Sequence, residues 1–245
     1  TRMTVYVTGD THGSIDLAKL RPRRFEAGSR LTKDDYVIVA GDFGLVWDGL
    51  PSELETRDWL DARPWTTLFV DGNHENHELL ASLPVEKWHG GLVHRVSGSI
   101  LHLMRGQVFD LDDLSVFAMG GAESVDRQWR VPYRSWWPEE IPNADERALA
   151  ETNLAARGWR VDYVVTHEAP YRVLDLMYGD DQAASDEFPR WLDGIASRLT
   201  FDVWYFGHHH IDENHGEYQA CFEGIYPLGE TEPLPVVDSW LPRKR

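Results

Sequence analysis

Cysteine is nearly missing from this 245-residue chain, with Cys221 the single example. A lone thiol excludes an internal disulfide framework and a thiolate-built structural zinc site, and it fits a reducing compartment. Its neighbours Tyr218, Ala220 and Phe222 suggest a packed strand thiol rather than a nucleophile. Positive charge is also scarce. Lys and Arg number 24 against 41 Asp and Glu, giving a net charge of -17 and a pI near 4.9. Such an excess of acid disfavours long nucleic acids and anionic membranes, which select positive faces. The basic tail Pro242 to Arg245 is too short to serve as a nucleic-acid arm. No apolar run approaches a membrane span, and the first residues lack the parts of a signal peptide, so a cytoplasmic location is expected. Repeats, low-complexity tracts and linkers are missing too, so residues 1–245 read as one domain.

What is present is a recurring local pattern. Met3 to Thr8 is a β-branched run followed by Gly9-Asp10-Thr11-His12. Asp35 to Ala40 is a second strand, followed by Gly41-Asp42, and Thr66 to Val70 a third, followed by Asp71-Gly72-Asn73-His74-Glu75. Between them, Ile15 to Leu20, Glu53 to Ala62 (capped by Ser52) and Asn76 to Leu83 read as helices. Strands alternating with helices predict βαβ units and a partly parallel sheet, with ligands at the carboxyl ends of the strands. From Leu92 to Met119 short alternating runs predict hairpins of a second sheet, with His94 and His102 in sheet-surface or core roles. Residues 123–142 carry Arg127, Trp129, Arg130, Tyr133, Arg134, Trp136 and Trp137, a loop too long and aromatic for an idle turn and a candidate lid. Asn143 to Arg157 is a helix with a capping box (Asn143 and Glu146) and Gly158 at its close. A strand from Arg160 to Val165 leads to Thr166-His167, and a helix from Asp186 to Leu199 to the strand Val203 to Phe206, which ends at Gly207-His208-His209-His210. Glu217 to Ile225 reads as a closing strand.

The residues at the strand ends are Asp10, His12, Asp42, Asn73, His74, His167, His208 and His210. Carboxylates, imidazoles and one amide, without thiolate, suit hard-to-borderline divalent metals such as Mn, Fe or Zn. There are too many ligands for one ion and enough for two with a shared carboxylate. In extended chain, residues two apart face one side, so the Asp-x-His and His-x-His spacings can aim both members at one place. His209 then has the opposite parity and turns away.

Gly-Asp10-x-His12, Gly-Asp42, Gly-Asn73-His74-Glu75, Thr-His167 and Gly-His208-x-His210, in this order, resemble the calcineurin-like metallophosphoesterase superfamily. The resemblance implies an α/β fold, a four-layer α/β/β/α sandwich with a di-metal site at the strand C-terminal ends. It implies that Asp10, His12 and His210 hold one metal, that Asn73, His167 and His208 hold the other, and that Asp42 bridges. It further implies two divalent or mixed-valence ions, Mn first, and in-line attack on a phosphoester by a metal-bridging hydroxide. Asn73 would also meet the phosphoryl oxygens, and His74 would assist the leaving group, with Glu75 or Asp48 as its carboxylate. The second motif departs from the Asp-Arg-Gly of the Ser/Thr protein phosphatases, because Phe43 and Gly44 follow Asp42. The phosphate-gripping arginine must then come from elsewhere, and Arg127 is the candidate, with Arg105, Arg130 and Arg134 also in reach of the reading. The chain looks closer to small bacterial or phage-type phosphoesterases acting on a small phosphorylated substrate.

Other functions remain open at this point. The aromatic loop could stack a nucleobase and favour a phosphodiesterase acting on nucleotide-type substrates. A non-catalytic interaction scaffold on the same fold would go with a damaged ligand set, and this set is complete. A di-metal hydrolase of another bond, such as an amide, fits the Gly-Asn-His-Glu stretch poorly.

Overall fold

The computed structural model describes residues 3–179 and 187–235. Asp186, which would begin the last long helix, and the basic tail lie outside the described residues. The chain runs β1 (Val5–Thr8), β2 (Tyr36–Val39), α1 (Pro51–Asp61), β3 (Thr66–Phe69), α2 (His77–Ala81), β4 (Val85–Trp88), β5 (Gly91–Ser97) and β6 (Ile100–Leu103). It continues with β7 (Gln107–Leu111), β8 (Leu114–Met119), α3 (Ala144–Ala156), β9 (Tyr163–Thr166), α4 (Tyr171–Tyr178), α5 (Glu187–Ala196), β10 (Val203–Phe206), β11 (Glu213–His215), β12 (Tyr218–Ala220) and β13 (Ile225–Pro227).

Among the described residues these strands form a seven-stranded sheet, β13-β1-β2-β3-β6-β5-β4, and a six-stranded sheet, β11-β12-β10-β9-β8-β7. The centre of each is parallel: β1, β2, β3 and β6 in the first, and β8, β9, β10 and β12 in the second. Every residue of the strands Tyr36–Val39, Thr66–Phe69 and Val203–Phe206 is buried. This explains why they read as unbroken apolar runs rather than alternating ones.

Alternation survives as a choice between two cores. Tyr36 and Ile38 face the space between the sheets, whereas Val37 and Val39 face outward. Likewise Val203 and Tyr205 point inward, and Trp204 and Phe206 outward. The outer face of the first sheet is covered by Leu17, Leu20, Leu60 of α1 and Leu80 of α2. The outer face of the second is covered by Leu154 of α3, Val173 and Leu174 of α4, and Leu192 and Ile195 of α5. The result is helices, sheet, sheet, helices, the four-layer α/β sandwich. Each large outward side chain such as Trp204 or Phe206 contributes about 2–3 kcal/mol by leaving water.

Several local expectations change. The hairpin region does not all join the second sheet. β5 and β6 pair with each other and, through β6, with β3 of the first sheet, so only β7 and β8 open the second. Sheet membership is a long-range pairing that local alternation does not encode. Helix α1 is not capped by Ser52: Leu50 is the N-cap and Pro51 the first helical residue, where a missing N–H costs nothing. Residues 15–20 form only a 3-10 turn, Leu17–Leu20. The closing strand is two strands in different sheets. Asp212 captures the N–H groups of Phe222, Glu223 and Gly224 and turns the chain between them. Helix α4, starting after Pro170, has no counterpart in the sequence reading. The capping box of α3 is present as expected, with Asn143 Oδ1 accepting from Glu146 N at 3.0 Å. No helix among the described residues is long and apolar enough to cross a membrane.

Candidate metal centre

The carboxyl ends of β1, β2 and β3 meet those of β9 and β10 across the sandwich, and the loops that follow are tied by backbone before any side chain is considered. Asp42 carbonyl accepts from Thr11 N at 3.1 Å and from His12 N at 2.8 Å, hanging the first loop on the second. Its carboxylate accepts from His74 N at 2.8 Å, which adds the third loop. Asp10 Oδ1 accepts from His208 N at 3.1 Å, which adds the last. The glycine before each turn is a packing requirement. A Cβ at Gly41 would overlap the His167 ring, and one at Gly207 would overlap Asp10 Oδ1.

Donor atoms gather in two groups with Asp42 common to both: Asp10, His12, Asp42 and His210, and Asp42, His167 and His208, each within 4.8 Å. Asp42 faces His12 Nε2 at 3.3 Å with Oδ2 and His167 Nε2 at 3.2 Å with Oδ1. Asn73 Oδ1 adjoins the second group, 3.2 Å from His167 Nε2. The members do not converge by strand parity. His12, Asp42, His208 and His210 all have positive φ, four of the eight such non-glycine residues among those described. Left-handed backbone costs on the order of 1 kcal/mol or more per residue and persists where surrounding structure enforces it. These turns send His208 and His210 to different groups.

The charges fit a cation. Asp10 Oδ2 is buried and accepts no hydrogen bond, with only imidazole nitrogens near it, His210 Nε2 at 3.1 Å and His12 Nε2 at 4.0 Å. Burial opposes a charged His12, but Asp42, Asp16 and Asp10 outweigh it and raise its pKa to about 9. His167 is raised to about 10 in the same way, burial being overcome by Asp42 and Asp10. Asp42 stays well below the usual carboxylate range despite burial, because of His167 and His12. Imidazole ligates a metal in its neutral form, so a divalent ion bound by these residues would displace such protons. Two further contacts orient the rings. His12 Nδ1 donates to Asp16 Oδ2 at 2.7 Å, and His167 Nδ1 donates to Ala40 carbonyl at 2.8 Å, leaving each Nε2 aimed into the centre.

His74 stands at the edge, its ring 5.2 Å from that of His12. Neither expected carboxylate reaches its imidazole. Glu75 is buried and accepts from Phe43 N at 2.7 Å and Gly72 N at 3.2 Å, its pKa pushed up to about 8 by burial and by Asp42 and Asp71. Asp48 accepts from Leu50 N. The imidazole meets Arg130 instead, Nη2 to Nε2 at 3.1 Å. Burial lowers the His74 pKa, with Arg130, His12 and His167 adding to it against Asp42. Arg127, the arginine singled out in the sequence, is 59 % exposed and paired with Glu123 at 3.1 Å. Arg130 is the loop arginine at the site, held by Asp126 at 2.7 Å. Sequence offered no means of choosing among arginines three and four residues apart.

Other residues around the site support it. His209 turns from both groups to Glu168 at 2.9 Å and Tyr178 at 3.1 Å. Asp71 is buried between Arg105 at 2.6 Å and His102 at 3.0 Å, and His102 in turn meets His94 at 2.9 Å. Lys19, which the sequence reading overlooked, is buried beneath the centre. It donates to Asp10 carbonyl at 2.6 Å and to Phe222 carbonyl, and the Phe222 ring stacks on His210 at 4.8 Å. A lysine on an otherwise apolar 3-10 turn, beside Leu17 and Leu20, was the available signal.

Comparison with known proteins agrees with this geometry. A family model described as calcineurin-like phosphoesterase matches residues 3–212. No curated protein sequence matches. Among solved structures, a candidate 5′-nucleotidase from Staphylococcus aureus, solved with α-ketoglutarate, superimposes with a TM-score of 0.50 at 17 % identity, covering 92 % of this chain and 50 % of that one. The chain thus spans about half the length of that protein. A phosphopantetheinyl hydrolase from Mycobacterium tuberculosis gives a TM-score of 0.40 at 18 % identity, covering 90 % of each chain. At 17 % identity the first of these speaks to fold alone. The family model, however, spans every strand end that contributes a donor, and the chain belongs to the calcineurin-like phosphoesterase family.

Proposed function

We propose that the protein hydrolyses phosphoric esters of small molecules at a pair of divalent cations sharing Asp42. The observation that supports this most directly is the carboxylate of Asp42, whose two oxygens face His12 and His167 at 3.3 and 3.2 Å, one in each donor group. Asp10, His12, Asp42 and His210 would hold one cation, and Asp42, Asn73, His167 and His208 the other. When bound, the cations supply Lewis acidity toward a phosphoryl oxygen and toward water.

The chain's own residues supply position and proton management. Asn73 Nδ2 donates to Ser124 Oγ at 3.3 Å, and Ser124 Oγ donates to Glu140 at 2.5 Å, so the amide is held with Oδ1 toward His167. Arg130 reaches over His74 from the aromatic loop and is placed to hold a phosphoryl oxygen. His74 is kept neutral by burial and Arg130. A phosphate anion entering between the guanidinium and the imidazole reverses that balance, and His74, once protonated, can hand a proton to the leaving oxygen. The bond from phosphorus to the alcohol oxygen breaks, the oxygen of water takes its place, and the alcohol departs with a proton.

Trp129, 82 % exposed and adjacent to Arg130, favours a second reading in which the substrate is a nucleotide-type diester with its base stacked on the indole. Manganese-loaded protein assayed with p-nitrophenyl phosphate, bis-p-nitrophenyl phosphate and cyclic nucleotides separates the two. Turnover of the monoester alone removes the diesterase reading, and no turnover of any phosphoester by the loaded protein overturns the proposal.

A further inference from the structure

A cleft of about 220 Å³ opens beside His12 and runs toward α1. Its wall includes Ser14, Trp47, Asp48, Ser52, Glu53 and Thr56, and none of its lining residues is a lysine or an arginine. The loop of residues 123–142 borders the cleft where Trp137 packs on Trp47, and it brings one guanidinium, that of Arg130, to His74 at 3.1 Å. The phosphoryl end of the site thus has a cationic partner, whereas the α1 side of the cleft presents hydroxyls and carboxylates.

The two carboxylates of the cleft are not equivalent. Glu53 is spent on structure, accepting from Trp47 N at 3.0 Å and Asp48 N at 2.9 Å and pairing with Arg57 at 2.6 Å. Asp48 is exposed and accepts only from Leu50 N at 2.9 Å, so its charge is left uncompensated at the rim. Asp16, which takes the Nδ1 proton of His12, adds a second negative charge behind the mouth.

We propose that this cleft receives the alcohol portion of the phosphoester and that it selects uncharged or cationic leaving groups, such as polyols and amino alcohols, over those carrying a carboxylate or further phosphates. The inference rests on the phosphoesterase reading above. The volume accommodates a group the size of a sugar or a choline, and the hydroxyls of Ser14, Ser52 and Thr56 together with Asp48 offer acceptors to its O–H or N–H groups. Glu53 is offset by Arg57 and His12 faces the metal centre, so an anionic leaving group meets the charge of Asp48 at the rim, an effect of about tenfold at most.

The test compares kcat/KM of manganese-loaded protein for phosphocholine, glycerol 3-phosphate and 3-phosphoglycerate, each normalised to p-nitrophenyl phosphate. The expected order is cationic, then uncharged, then anionic, with about a tenfold step to the last. Asp48→Lys should reverse the ranking of phosphocholine and 3-phosphoglycerate. Equal normalised values for all three, or a ranking unmoved by Asp48→Lys, overturns the selection. Binding without turnover is read separately on metal-free protein. Trp47 lines the cleft, so the emission change that is lost in Trp47→Phe reports its occupancy. Choline should produce that change at lower concentration than glycerate at fixed ionic strength; no difference between them overturns the proposal even where phosphoester turnover is also missing. Failure on p-nitrophenyl phosphate together with discrimination between choline and glycerate would instead count against the phosphoesterase reading alone.

Discussion

Arg130 Nη2 donates to His74 Nε2 at 3.1 Å, so a residue from the aromatic loop caps a strand-end histidine that belongs to neither donor group. Burial lowers the His74 pKa, and the guanidinium beside the imidazole favours the neutral form in the same direction. The arrangement leaves an opening for an anion: a phosphate between them satisfies both.

Arg130→Ala is expected to raise KM and to lower kcat/KM by roughly 100-fold, the scale for losing one aligned donor to a phosphoryl group. Arg127→Ala, which breaks only an exposed ion pair with Glu123, should stay within about twofold. Steady-state kinetics on both variants checks the distinction, and equal losses would return Arg127 to consideration.

His74→Ala should retain both metal ions while losing at least about 100-fold in kcat. Asp42→Ala should lose metal from both groups, since its two oxygens face one group each. Metal stoichiometry by elemental analysis, alongside rates, tests both; a full rate in His74→Ala would remove that residue from the chemistry.

Lys19→Met preserves apolar bulk but deletes the ammonium that joins Asp10 carbonyl to Phe222 carbonyl. Because Phe222 stacks on His210, the variant should weaken the group of Asp10, His12 and His210 by about tenfold in metal affinity and spare the His167 and His208 group. Calorimetric titration with manganese should then show two classes of site where the parent shows closer affinities.

Arg105→Ala should destabilise the fold by about 3–5 kcal/mol, because Asp71 would remain buried without its principal partner. Thermal unfolding would register this as a fall in Tm of roughly 10 °C.

Stability should also fall with acid through His77. Burial and Arg105 lower its pKa from 6.5 to about 4 in the folded state. Below pH 6.5 the unfolded chain takes up a proton that the folded one refuses, so stability declines as pH drops from about 6.5 to about 4 and levels off below. The contribution is on the order of 3 kcal/mol at the lower end. A His77→Gln variant should show a shallower decline in urea unfolding across that window.

Much of this was legible in residues alone. Short, mostly apolar strands each followed by a polar ligand announced parallel sheets and the edge at which the candidate ligands lie, because strand burial and ligand placement are local consequences of residue order. What local pattern could not give was partnership. β5 and β6 joined the first sheet through pairing with β3, and the segment read as one closing strand split between two sheets at the Asp212 turn. His208 and His210 fall in different donor groups, and left-handed backbone rather than strand parity sends them there.

The sequence by itself determined which residue types stand at the strand ends and hence the kind of ion they suit, since ligand chemistry travels with the side chain. Tertiary structure decided which donors share a group, which arginine of the loop reaches His74, and that a buried Lys19 braces Asp10 from below. Most of those relationships join residues far apart in the chain, 56 positions for Arg130 and His74 and 198 for Asp10 and His208, and they are set by how two sheets and their covering helices pack.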